Sequence, residues 1–141
     1  MRRAALLAAL TAVLAAGSAG AAAPPAVRLT VRYDDGAGHR RLAHLTCSRA
    51  GNRADGFIAD AGVRRACAVA RRRAGLLLDR RDPRRVCTMI YGGPQTAIVS
   101  GRIGARGLRR RFARRDGCEI ADWDALRPLL PRVRGAAPAG A

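Results

Sequence analysis

Val27-Arg28-Leu29-Thr30-Val31-Arg32-Tyr33 alternates apolar and polar side chains at every step. A period of two puts one set of side chains on a core and the other in solvent, so the stretch reads as a half-buried strand, ended by Asp34-Asp35-Gly36. Arg41 to Ser48 continues the pattern as a second strand, with Leu45 and Cys47 on one face and Leu42, His44 and Thr46 on the other. His44 is therefore expected to be a strand-face residue rather than a ligand or base.

Ser48 to Gly56 reads as loop. Asp60 is placed to cap a helix running to about Ala74, before Gly75. Val63, Ala66, Cys67, Ala70 and Ala74 then share one helical face, with Arg64, Arg65, Arg71 and Arg72 opposite. Leu76 to Leu78 extends the apolar surface, and Asp79 to Arg85 is a polar, Pro-broken approach to Cys87. Thr96 to Ser100 and Leu108 to Phe112 read as two strands joined by the Gly-rich turn Gly101 to Gly107. Arg109, Arg110, Arg111, Arg114 and Arg115 surround Phe112 and read as a solvated strand face and loop. Asp122 to Leu130 is expected to make a short helical turn with Trp123 as a core plug. The expectation is an α+β fold: an antiparallel sheet of about five strands, one or two helices packed on one face, and two disulfides.

The cysteines number four: Cys47, Cys67, Cys87 and Cys118. No close pair occurs, and His39 and His44 both precede the first cysteine, so metal-ligand spacing and a redox Cys-x-x-Cys are both missing. No metal and no cofactor are expected. An even count in a small exported chain favours two bridges, although four cysteines allow three connectivities. Cys67 faces the core from its helix, which makes Cys47 on the preceding strand its natural partner and leaves Cys87 with Cys118.

Export is read from the first residues. Met1-Arg2-Arg3 is basic, Ala4 to Ala16 is apolar apart from Thr11, and Gly17 to Ala23 is made of small residues. This is a secretory signal layout with cleavage after Ala21, and the run is short of the roughly 20 apolar residues that span a bilayer. Residues 1–21 are thus expected to be a signal peptide, 22–131 one domain, and 132–141 a disordered tail. The protein is expected to be secreted, with no membrane attachment after cleavage.

The formal charge is +17, and losing Arg2 and Arg3 lowers it by only two. Such a balance points towards anionic partners. Against nucleic acid stand the export signal and an aromatic content of 4%, since single-stranded nucleic acid is commonly held by stacking rings. A secreted cationic binder of anionic polymers or surfaces is the alternative reading of the chain. An enzyme is not expected: nucleophile, His and carboxylate form no recognisable motif, and four bridged cysteines leave no thiol.

Val86-Cys87-Thr88-Met89-Ile90-Tyr91-Gly92-Gly93-Pro94 is the segment with functional content. It holds Met89 between a half-cystine and a proline, so the side chain reads as one offered to a partner's pocket. Leu45-Thr46-Cys47, Ala66-Cys67-Ala68, Val86 to Tyr91 and the four-cysteine order together resemble the Streptomyces subtilisin inhibitor family over roughly Val27 to Glu119.

The resemblance implies a secreted, homodimeric α+β inhibitor of subtilisin-like serine proteases, with first-to-second and third-to-fourth disulfides. Carried onto this chain, the reactive bond is Met89-Ile90. Met89 enters the primary specificity pocket, Thr88 and Cys87 lie along the enzyme as an added strand, and Val86 fills the next apolar pocket. Ile90 and Tyr91 lie on the leaving side. Asp116, two residues before the last cysteine, falls where the family braces the loop and is expected to support it as a hydrogen-bond acceptor. The sheet face with Leu42, His44 and Thr46 is expected to pair with a second copy.

Overall fold

The computed structural model describes residues 23–133. The leader expected at residues 1–21 lies outside them. Strand β1 (Val27–Asp34) is the middle of a five-stranded antiparallel sheet of order β3-β2-β1-β4-β5. β2 (Arg40–Ser48) lies on one side and β4 (Thr96–Ile103) on the other, with β3 (Gly51–Ala54) and β5 (Arg106–Phe112) at the edges. The register stacks the apolar set of β1 on that of both neighbours: Leu29 is opposite Leu45, and Val31 is opposite both Ala43 and Val99. One face of the sheet is therefore continuous core.

Helical segments cover that face. The stretch expected as one helix from Asp60 to Ala74 is three pieces: α1 (Gly56–Ala61), α2 (Val63–Arg72) and α3 (Ala74–Leu78). Gly62 separates the first two with φ +99°, a backbone shape that glycine adopts without steric cost. Asp60 consequently lies inside α1 and caps nothing. Asp55 occupies the position before α1, but its carboxylate is turned to His44, which it meets at the backbone N–H (2.6 Å) and at Nδ1 (2.8 Å). His44 is an exposed strand-face residue, as its sequence position requires. On α2, Ala66, Cys67, Val69 and Ala70 are buried while Arg64, Arg65 and Arg72 face out.

A fourth helix, α4 (Gly117–Ala125), starts earlier than the turn expected at Asp122 to Leu130. Trp123 plugs the core with no exposed surface, its ring 6.2 Å edge-on from Tyr33 and its Nε1 donating to the Pro131 carbonyl at 3.0 Å. That bond fastens the chain after α4 to the core, and Leu126, Leu129 and Leu130 are buried with it. Val133 packs on the same core, so the domain extends past residue 131 into what the sequence assigns to the tail. The rest of that tail, from residue 134, lies outside the described residues.

Both disulfides have the expected partners. Cys47–Cys67 ties β2 to α2 within the core (Cα–Cα 5.8 Å), and Cys87–Cys118 ties the segment between α3 and β4 to the first turn of α4 (5.3 Å). No cysteine is free. Two bridges in a domain of this size suit an oxidising compartment. No helix among the described residues is long and apolar enough to cross a membrane.

Candidate functional site

The segment Asp79 to Gln95 carries no helix or strand, and its apolar side chains are displayed. Val86 and Met89 are each 95% exposed, Ile90 58% and Tyr91 64%. Leu42, at 49%, is the other large exposed hydrophobic residue among those described. A soluble domain ordinarily scatters such residues singly, so four within six positions mark a contact surface.

The display is held from both ends. On the Cys87 side, the bridge to Cys118 fixes the chain to α4, and the Gly117 N–H donates to the Thr88 carbonyl at 2.9 Å. On the far side, Gly92 is gripped twice by Arg114. Its N–H donates to the Arg114 carbonyl at 2.7 Å, and its own carbonyl accepts from Arg114 Nε at 3.0 Å. Gly92 lies close against Ile120, and a Cβ there would meet that side chain at 2.8 Å, so a larger residue would make Ile120 shift. Gly92, soft by composition, is thereby among the best-anchored positions of the loop. Pro94 then lies against Gly36 in the β1–β2 turn. Met89 and Ile90 sit between two anchors and have no backbone partner of their own.

Arg114 is the functional residue that the sequence hides. Set in a run of arginines, it reads as solvated, yet it is only 5% exposed, with its guanidinium 5.8 Å from the centre of the Trp123 ring and 3.9 Å from Asp124. A buried guanidinium needs satisfied donors, and the Gly92 carbonyl is one of the groups that satisfies it. Arg109 and Arg111, by contrast, are exposed as expected.

Asp116 supports the loop indirectly. Its carboxylate caps α4 by accepting from the Glu119 N–H at 2.7 Å, which sets the first turn that carries Cys118. It lies beside the sulfurs of Cys87 and Cys118, but both are spent on the bridge and give no metal-binding thiolate.

Behind the loop, two buried carboxylates gather its stem. Glu119 and Asp122 are 5% and 6% exposed. Arg81 reaches both, at 3.3 and 3.2 Å, and Arg85 meets Asp122 at 2.7 Å. Arg115 meets Glu119 at 2.9 Å through its side chain and again through its backbone N–H. The polar approach from Asp79 to Arg85 is thus strapped onto α4. The Arg115 hydrogen bond is the main cause that holds the Glu119 carboxyl below the usual glutamate range. A lowered folded-state pKa contributes stability that is present above the unfolded value, about 4.3, and is lost as pH falls through the folded one. Melting temperature should therefore drop as acid is added below about pH 4.3, and Glu119→Gln should flatten that part of the profile in calorimetry. A profile unchanged by the substitution would remove Glu119 from the strap.

The structure brings Val86, Cys87, Thr88, Met89, Ile90 and Tyr91 into one surface loop with Cys118 and Asp116 beneath it, while Cys47 and Cys67 lie apart in the core. No known protein family, curated protein or solved structure matches this chain.

Proposed function

We propose that the protein is a secreted inhibitor of subtilisin-like serine endopeptidases, acting as a substrate-like loop with reactive bond Met89-Ile90. The observation that carries this reading is the exposure of Val86, Met89, Ile90 and Tyr91 on a segment anchored on both sides. An extended segment laid along a protease gains main-chain hydrogen bonds, and alternate side chains select the pockets. Met89 takes the primary pocket, Val86 an apolar pocket upstream, and Ile90 and Tyr91 the leaving side.

Any substrate loop can bind in this way. An inhibitor differs in losing little freedom on binding and in keeping its ends together if the bond is cut. Here Thr88 is tied to Gly117 one residue before Met89, and Gly92 is tied to Arg114 two residues after Ile90. A cut between Met89 and Ile90 would leave both new ends held, so the bond could re-form instead of the products separating.

The reading is tested by titrating a subtilisin-class protease with the purified protein at low and high salt. Salt-insensitive inhibition that saturates at a fixed molar ratio is expected, and loss of inhibition at high salt would point to the charge rather than the loop. Arg114→Met should remove the side-chain half of the Gly92 grip and leave the backbone bond to the residue-114 carbonyl, at a cost of about 1.5–3 kcal/mol for a hydrogen bond to a charged group. Its expected signature is faster cleavage of the loop by the same protease, read by mass spectrometry, and an unchanged cleavage rate would show that Arg114 does not brace it.

A further inference from the structure

The sheet face turned away from the helices is not used by the loop. From the strand register, Arg28 and Arg32 of β1, Arg53 of β3, Arg102 of β4, and Arg109 and Arg111 of β5 all lie on it. All six are exposed, and none has an ion-pair partner among the described residues. The carboxylates at its margins are engaged: Asp34 with Arg40 at 3.0 Å and Asp55 with His44 at 2.8 Å. Arg28 and Arg102 sit directly opposite each other on neighbouring strands. Like charges in that position destabilise a sheet, so an acidic binding partner would relieve a conflict the fold carries alone.

The face also has shape. A depression of about 550 Å³ is lined by Arg32, Arg40 and Arg111 together with Asp34, the carboxylate that Arg40 pairs, and by Leu42 and Ile98. Strands lie about 4.8 Å apart, which sets Arg32 and Arg111, two strands apart across Ile98, roughly 10 Å from each other. This spreads guanidiniums over the sheet as a grid rather than a single anion pocket.

Three occupants suit an open sheet face, and the chemistry separates them. A second copy, which the family resemblance implies, would set arginine against arginine. A single-stranded nucleic acid would find no exposed ring to stack its bases: Phe57, Phe112 and Trp123 are buried, Tyr33 shows only 9% of its surface, and Tyr91 belongs to the loop. A chain of bare phosphates needs only the guanidinium forks, which match phosphate oxygens two at a time. We propose that this arginine-lined sheet face is a docking site for a linear polyphosphate chain.

The test is calorimetric titration of the full chain with inorganic polyphosphate of defined length at 50, 100 and 200 mM salt. With about five charge contacts, affinity should fall about a hundredfold across that range. The triple variant Arg28→Gln, Arg109→Gln, Arg111→Gln should bind at least about tenfold more weakly at 50 mM and reduce the log–log salt slope by about 2. A charge-matched control on the helical face, Arg64→Gln, Arg65→Gln, Arg72→Gln, should stay within about twofold of the parent, because contacts rather than net charge set the slope. Equal losses in both triples would reduce the effect to diffuse charge and overturn the site. So would tighter binding of a single-stranded oligonucleotide of equal charge, or a dimer in sedimentation that excludes polyphosphate. Neither triple touches the Met89 loop, so protease inhibition should be unchanged in both, and a failure here leaves the inhibitory reading standing.

Discussion

Met89→Asp is expected to abolish useful inhibition of a subtilisin-class protease, weakening it by several kcal/mol, or roughly a thousandfold at about 1.4 kcal/mol per decade. Met89 is 95% exposed in the free protein, so its replacement should leave the fold intact. In the complex, the same position is desolvated in the primary pocket, where a carboxylate without a partner carries a large penalty. The unbranched, polarisable thioether, in contrast, fills an apolar pocket well. Met89→Lys should move inhibition towards proteases whose pocket holds a buried carboxylate, because only the pocket-filling side chain has changed. Inhibition constants for the three proteins against both protease classes check this. Unchanged inhibition by Met89→Asp would place the reactive residue elsewhere.

Removing the Cys87–Cys118 bridge by Cys87→Ser with Cys118→Ser is expected to cost about 3–4 kcal/mol of stability in the chain-entropy account. The cysteines are 31 residues apart in sequence. For a domain of about 100 residues that corresponds to a fall in melting temperature of about 15–25 °C. The functional effect should be larger than the thermal one. Without the bridge, the Met89 side of the loop keeps the Gly117–Thr88 hydrogen bond and, further back, the Arg81 and Arg85 ion pairs to α4. The new end at Met89 is then held less closely, and a cut at Met89-Ile90 should release product faster, turning an inhibitor into a substrate. The pair Cys47→Ala with Cys67→Ala is the matching control. It removes a bridge from the core, far along the chain from the loop, and should lower melting temperature without speeding cleavage. If both pairs speed cleavage equally, global stability rather than local bracing governs the loop.

The strands whose side chains alternate were legible because period-two burial leaves a direct mark. β1 and β2 reproduce the expected faces residue by residue, down to Leu45 and Cys47 inside and Leu42 and His44 outside. β3 was not legible: Gly51-Asn52-Arg53-Ala54 has no apolar rhythm and is a strand only because its backbone pairs with the edge of β2. The helix over Asp60 to Ala74 was legible as a face but not as a length, since Gly62 interrupts it without altering the apolar spacing. The start of α4 had a readable signal, Asp116 followed three residues later by Glu119, which is the spacing of a capping pair. The display of Met89 was legible from its place between a half-cystine and a proline. What supports it did not, because Arg114 becomes a buried clamp only when β5, Trp123 and Gly92 converge, and nothing local distinguishes it from Arg111.

The most direct test of the inhibitory account is mass spectrometry of the protein after prolonged incubation with stoichiometric subtilisin-class protease, alongside residual activity. One slow cleavage is expected, at Met89-Ile90, with the two pieces still joined through Cys87–Cys118 and the protease still inhibited. Rapid cleavage at one of the arginines, with protease activity unimpaired, would contradict it.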